Sequence, residues 1–159
     1  MTASAHAGVL DRIRRETAAE TNARDVLART VAVLKDAIPE YTWVGIYLLE
    51  GDELVLGPFL GKPSPHTRIA LGQGICGAAA TEKATLIVDD VNADPRYLAC
   101  SIETQSEIVV PIMHGERVLG EIDIDSDRLA AFGAADRELL EGVAALIAPG
   151  LAGERSNRS

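Results

Sequence analysis

Hydrophobic positions change their spacing along the chain, and each change marks an element. Leu10, Ile13 and Thr17 recur at helical spacing and predict a short helix over 9–17. Asn22 with Asp25 three residues on is a helix-start signal, because a short polar side chain there can accept a free backbone N–H. Val26, Leu27, Val31, Leu34 and Ile38 then form one apolar stripe, and Pro39 ends it. From 41 to 50 the chain is rich in β-branched and aromatic residues. Gly51-Asp52 is a turn, and 53–59 runs extended again, which predicts a hairpin. A loop rich in Gly, Pro and Ser follows at 61–66, then a short strand at 68–71. A glycine-rich turn at 72–77 opens a helix at about 75–82, and 85–88 is a strand. A polar loop with room for one helical turn occupies 89–100. Residues 107–113 and 117–125 form a second hairpin through His114-Gly115-Glu116, and 138–151 reads as a closing helix that Pro149 and Gly150 should fray.

Hairpins imply antiparallel pairing, and helices at both ends of the chain can pack together on one sheet face. The expected class is α+β with a central antiparallel sheet, its loops gathered on the other face. The whole of 1–159 is expected to be one domain: N-terminal helices at 1–40, sheet and loops at 41–126, and a C-terminal helix within 133–155.

Composition narrows the function. The chain has 159 residues, 47% of them hydrophobic, and a formal net charge of −9. That charge argues against nucleic acid and against an anionic membrane surface, both of which need a basic face. No apolar run approaches the length of a membrane span, and residues 1–10 lack the apolar centre of a signal peptide. A cytoplasmic protein is expected. The 2 cysteines are too few for a disulfide-built fold.

Two familiar patterns fail on inspection. Gly72-Gln-Gly-Ile-Cys-Gly77 matches the dinucleotide fingerprint, but the sheet around it is read as antiparallel rather than as a parallel βαβ unit. Asp123, Asp125 and Asp127 imitate the start of a calcium loop, yet Arg128 and Ala134 stand where that loop needs Gly and Glu. His6, His66 and His114 show no metal-ligand spacing, and no metal is expected.

Other residues are harder to set aside. Cys76 falls at a predicted helix start, where backbone amides favour a thiolate, and Cys100 lies in a polar loop off any apolar stripe. Either could be a buried small hydrophobe, but both have the setting of a reactive thiol. Asp123 and Asp125 are two apart on one predicted strand and so share a face, with Glu107 on the paired strand. Close carboxylates raise one another's pKa, and make sense around a cation or as a proton source. Trp43, the sole tryptophan, is either core or the apolar wall of a small pocket.

Together, Tyr41-Thr-Trp-Val-Gly-Ile-Tyr, Leu54-Val-Leu-Gly-Pro-Phe, Gly61-Lys, Gly72-Gln-Gly-Ile-Cys-Gly, Leu98-Ala-Cys100, Ser106-Glu-Ile-Val-Val-Pro-Ile and Asp123-Ile-Asp-Ser resemble the GAF-domain free methionine-(R)-sulfoxide reductases. The likeness covers about 41–140. It implies a GAF fold and an enzyme without bound cofactor, acting on free L-methionine-(R)-sulfoxide and recharged by thioredoxin. By resemblance Cys100 is the nucleophile and Cys76 another family cysteine. Glu107, Asp123 and Asp125 hold the substrate, and Trp43 lines its pocket. The family commonly has a third cysteine in the loop after Gly-Lys. Here His66 stands in its place, which shifts the resolving step to Cys76 and a Cys76–Cys100 disulfide. The helix-start position of Cys76 pulls the other way, so the two roles could be exchanged. His66 is a candidate auxiliary to the thiolate, or an exposed loop residue. The resemblance also admits a homodimer.

The implied chemistry suits these residue types. A thiolate attacks the sulfoxide sulfur, a carboxylic acid protonates the departing oxygen, and the cysteine becomes a sulfenic acid. A second thiol closes a disulfide that an external dithiol reduces. The alternative is a GAF domain that senses a small molecule or a redox signal without catalysis. The Asn-Lys-x-Phe-Asp-Glu pattern of cyclic-nucleotide GAF domains is absent, and neither cysteine precedes a histidine as in bilin-binding ones.

Overall fold

The structure is a computed structural model and describes residues 3–98 and 102–157. Cys100, an expected site residue, lies outside the described residues. The first two elements are helices α1 (Ala3–Thr17) and α2 (Ala23–Ala37), and the Asn22 side chain caps α2 by accepting the Asp25 N–H at 2.9 Å. Strands β1 (Trp43–Glu50) and β2 (Glu53–Leu60) form the first hairpin. β3 (Arg68–Ala70), α3 (Gly74–Glu82) and β4 (Leu86–Val88) follow, then a single 3-10 turn at Val91–Ala93. β5 (Ser106–His114) and β6 (Arg117–Ser126) form the second hairpin, and α4 (Ala134–Asn157) closes the order.

The six strands form one antiparallel sheet in the order β3-β2-β1-β6-β5-β4. Alternation along the central strands separates two faces. Val44 and Ile46 of β1, Ile108, Val110 and Ile112 of β5, and Ile122 and Ile124 of β6 point to one side and pack with α1, α2 and α4 in the main core. Trp43, Tyr47 and Val109 point to the other side, where they join Cys76 and Ile75 of α3 in a second cluster. The terminal helices thus share one face, and the opposite face is left to α3 and the loops.

α4 corrects one expectation. It begins at Ala134 rather than 138 and runs through Pro149 without ending there. Proline removes one backbone donor and strains a helix interior. Beyond it, however, Leu151 and Ala152 are buried in the main core, and that packing holds the last turns. The start has its own signal: the Asp136 side chain reaches back to accept the Gly133 N–H at 2.9 Å, a capping-box contact. The same carboxylate accepts the Tyr41 hydroxyl at 2.6 Å and meets His6 Nε2 at 2.8 Å. One buried acid therefore joins α1, the entry to β1 and α4.

Candidate active site

The site is built on three alternate rows across β1, β6 and β5. Asp125 lies between Trp43 and Glu107, Asp123 between Gly45 and Val109, and Glu121 between Tyr47 and Pro111. The three acids of β6 are each two apart, so all share the face opposite Ile122 and Ile124. Glu107, Glu121, Asp123 and Asp125 are all buried, between 0% and 5% exposed. The sequence reading found three of these acids and missed Glu121. The signal was present, since Glu121 continues the alternation of 123 and 125.

Trp43 is both core and wall. Its indole N–H donates to the Lys62 carbonyl at 2.9 Å, and its ring stacks on Phe59 with centroids 5.7 Å apart. It folds over Gly45, the next residue on its own face, where a Cβ would come within 2.3 Å of the ring. Tyr47, two residues further, is a second site residue that the sequence reading did not single out. Its hydroxyl donates to the His66 carbonyl at 2.7 Å and ties β1 to the loop after β2.

α3 lays Cys76 over this floor. Gly74 has a φ of +67°, and at Gly77 a Cβ would sit 2.8 Å from the Gly72 amide nitrogen, so the turn and the first helical turn close tightly. The glycines therefore set a close turn, as the rejection of the dinucleotide reading anticipated. Cys76 itself is buried, and burial pushes its thiol well up, with Asp123, Glu121 and Glu107 adding to the shift. The expectation of a thiolate stabilised by helix amides is thus corrected: desolvation and three acids outweigh the helix terminus. Cys76 rests as a neutral thiol.

The acids carry the same signature. Burial, reinforced by the charge of Asp123, pushes Asp125 and Glu121 well above the usual carboxylate range. Burial also raises Asp123, and hydrogen bonding with Glu107 and Cys76 offsets part of the effect. One oxygen each of Asp123 and Asp125 has no hydrogen-bond partner, and the oxygens of Glu121 have none other than the Cys76 thiol. A buried cluster of this kind holds protons at neutral pH, or awaits a cation that would neutralise it.

Two cavities open on the row of acids. A narrow one of about 20 Å³ is bounded by Cys76, Glu107, Asp123, Tyr47, Leu98 and His66. A larger one of about 170 Å³ is bounded by Trp43, Lys62, Glu103, Asp125 and Asp127, and the Lys62–Glu103 ion pair at 2.8 Å crosses from one of its loops to the other. His66 is half-buried and lines the cavity of Cys76, so it is not merely an exposed loop residue. The structure therefore brings together Cys76, His66, Glu107 and Asp123 around one cavity, and Trp43 and Asp125 around the next. Ligand atoms of Cys76, Glu107 and Asp123 lie within 4.8 Å of one another. That donor set suits an ammonium group directly, and a soft divalent metal only after the thiol gives up its proton.

Comparison with known proteins agrees with this geometry. The GAF domain family model matches residues 10–151. The free methionine-R-sulfoxide reductase of Escherichia coli is 38% identical over 131 residues, which are 82% of this chain and 77% of that protein. The free methionine-R-sulfoxide reductase of Neisseria meningitidis, solved in complex with its substrate, superposes with a TM-score of 0.92 at 40% identity, over 98% of this chain and 93% of that one. The chain belongs to the free methionine-R-sulfoxide reductase family of GAF-domain proteins. Another solved relative, the type II free methionine-R-sulfoxide reductase of Thermoplasma acidophilum, is 42% identical with a TM-score of 0.80, over 82% of this chain and 93% of that one. The GAF domain-containing protein A of Dictyostelium discoideum is 41% identical over 129 residues, 80% of each chain. The six-stranded antiparallel sheet of this GAF domain is the fold that the sequence led one to expect.

Proposed function

We propose that this protein reduces free L-methionine-(R)-sulfoxide to methionine by a two-cysteine cycle. The observation that carries the reading is a buried thiol set against a row of proton-holding carboxyls, in a chain similar to reductases of that substrate. Glu107, Asp123 and Asp125 receive the substrate ammonium, whose charge favours the ionised form of carboxyls that burial disfavours. A methionine within a polypeptide lacks that ammonium and forgoes this charge interaction, which gives selectivity for the free amino acid. Trp43 supplies an apolar wall beside Asp125.

In the reaction, the Cys100 thiolate attacks the sulfoxide sulfur. The S–O bond breaks, the oxygen passes to Cys100 as a sulfenic acid, and a carboxyl among Glu107, Asp123 and Asp125 supplies the proton that the oxygen needs. Methionine leaves, reduced by two electrons. The nucleophile is assigned to Cys100 because Cys76 is held as a neutral thiol, a poor attacking group. Cys76 then attacks the Cys100 sulfur, water departs, and a Cys76–Cys100 disulfide closes. Thioredoxin, a cytoplasmic dithiol, reduces it by exchange. His66 occupies the place of a third thiol and contributes to the wall beside Cys76 instead.

The test is NADPH consumption in a thioredoxin-coupled assay with the free R sulfoxide, the S epimer, a peptide-bound sulfoxide and a Cys100→Ser variant. Turnover of the free R form alone, lost in the variant, is the expected result. Binding of the sulfoxide without any release of methionine would replace the enzyme with a sensor.

A further inference from the structure

Glu121 is the one buried acid of the row that the proposed cycle leaves idle. It is 0% exposed, and its oxygens have no hydrogen-bond partner other than the Cys76 thiol. Its polar neighbours are Asp123, two positions along β6, and the Cys76 thiol from α3. Tyr47 and Pro111 flank it on the adjoining strands. Glu121 lines neither cavity, so it stands behind Cys76 rather than in the space a substrate would fill. An apolar residue of similar size would occupy this place without the cost of burying an unpaired carboxyl.

The position acquires a use when the fate of Cys76 is followed through recycling. A disulfide opens fastest when its leaving sulfur is a stable thiolate. Cys76 is the opposite case, being buried among acids that penalise a negative charge on its sulfur. It must depart as a thiol, and a proton has to arrive as the S–S bond breaks. Asp123 and Glu107 hydrogen-bond each other at the substrate end of the row. Asp123 reaches Cys76 as well but is shared with Glu107, whereas Glu121 meets Cys76 and is hydrogen-bonded to no other acid.

We infer that Glu121 is the general acid of the recycling step, giving its proton to Cys76 Sγ as the disulfide is reduced. This rests on the reductase reading above. A thiolate of the external dithiol attacks the Cys100 sulfur and forms a mixed disulfide with it. The Cys76–Cys100 bond breaks, its electron pair goes to Cys76 Sγ, and the Glu121 carboxyl proton goes to the same sulfur. Cys76 is left as a thiol and Glu121 as a carboxylate that takes a proton back from solvent. The second thiol of the reductant then releases Cys100 and leaves as the oxidised dithiol.

The experiment separates the two halves of the cycle. Wild type, Glu121→Gln, Glu121→Leu and Glu121→Asp are each mixed with free methionine-(R)-sulfoxide without reductant, and released methionine is counted. The oxidised proteins are then reduced with dithiothreitol from pH 6 to 9, and thiol recovery is followed by quenched alkylation. All four are expected to release one methionine per chain. Reduction of the Gln and Leu variants should be about a hundredfold slower at pH 7, the usual worth of a general acid. The Asp variant should recover part of that loss. Per unit of dithiothreitol thiolate, the wild-type rate should fall with rising pH as Glu121 ionises, and the Gln and Leu rates should stay flat. Wild-type reduction rates and pH profile in both variants would overturn the assignment to Glu121 while leaving the reductase intact. Loss of the first methionine together with recycling would also overturn it, by placing Glu121 in the sulfoxide step. A wild type that releases no methionine would overturn the reductase reading, and this inference with it. If Glu121→Gln fails to fold, Glu121→Leu carries the same test.

Discussion

The Trp43 ring lies over Gly45 so closely that a Cβ on the glycine would come within 2.3 Å of the indole. The two residues share one face of β1, and the missing side chain of the second is the space that the first occupies. Gly45→Ala should therefore expel the ring rather than simply crowd it. The expected cost is about 1–3 kcal/mol in a denaturant titration, typical of overpacking. Because Trp43 is the sole tryptophan, its emission reports the same event, and a red shift is expected. In the coupled assay KM for the sulfoxide should rise more than kcat falls.

A second prediction concerns the buried hub at Asp136. Burial alone would raise this carboxyl, but the Tyr41 hydroxyl, the Gly133 amide and His6 hold it below the usual carboxylate range. Tyr41→Phe removes the 2.6 Å bond and should cost about 1.5–3 kcal/mol at pH 7, as for a hydrogen bond to a charged group. The folded carboxyl is the stronger acid, so its contribution is full above its unfolded pKa and is lost as pH falls through the folded value. The stability gap between wild type and Tyr41→Phe should therefore narrow below about pH 4. Urea titrations at pH 7 and pH 3 measure the difference.

The acids of the site should behave in the opposite sense. Asp125 and Glu121 are raised on folding, so the folded protein binds more protons than the unfolded chain above about pH 4. Stability should then fall as pH rises toward their folded values. Asp125→Asn removes one of these protonations, and its melting temperature should vary less between pH 5 and 8 than that of wild type. A wild-type melting temperature that climbs steadily over that interval would contradict the assignment.

Cys76 should be chemically silent in the reduced protein. Burial and its three acidic neighbours keep it protonated. In a Cys100→Ser background, alkylation by iodoacetamide at pH 8 should run at least about 100-fold slower than for a free thiol, and become normal in denaturant. Cys76→Ser should still release one methionine per chain without reductant, yet fail to turn over with thioredoxin. If that variant turned over normally, Cys76 would have no resolving role.

Much of the fold was legible because its signals are local. Gly51-Asp52 and Gly115-Glu116 sit at the two hairpin turns, and Asn22 caps α2 as its spacing suggested. What could not be read depends on contacts distant in sequence. Pro149 looked like a helix end until Leu151 and Ala152 were seen buried in the core beyond it. Cys76 looked like a thiolate because a helix start is visible in sequence, whereas the three acids above which it lies come from strands 31 or more positions away. His6 gave no sign of being buried against Asp136, since 130 residues separate them. Glu121 is the exception, a site neighbour whose alternation with Asp123 and Asp125 was open to view.

The alternation of β6 has a consequence for how the chain can fold wrongly. Ile122 and Ile124 face the helices, while Glu121, Asp123 and Asp125 face the site. A slip of one residue against β1 or β5 would thrust three carboxyls into the oily side and turn two isoleucines outward. Such a mispaired sheet would have no affordable packing against α1, α2 and α4. The acids that equip the protein for chemistry are thus also its safeguard against an alternative pairing, and any molecule that completes its sheet has, by that act, assembled its carboxylate row.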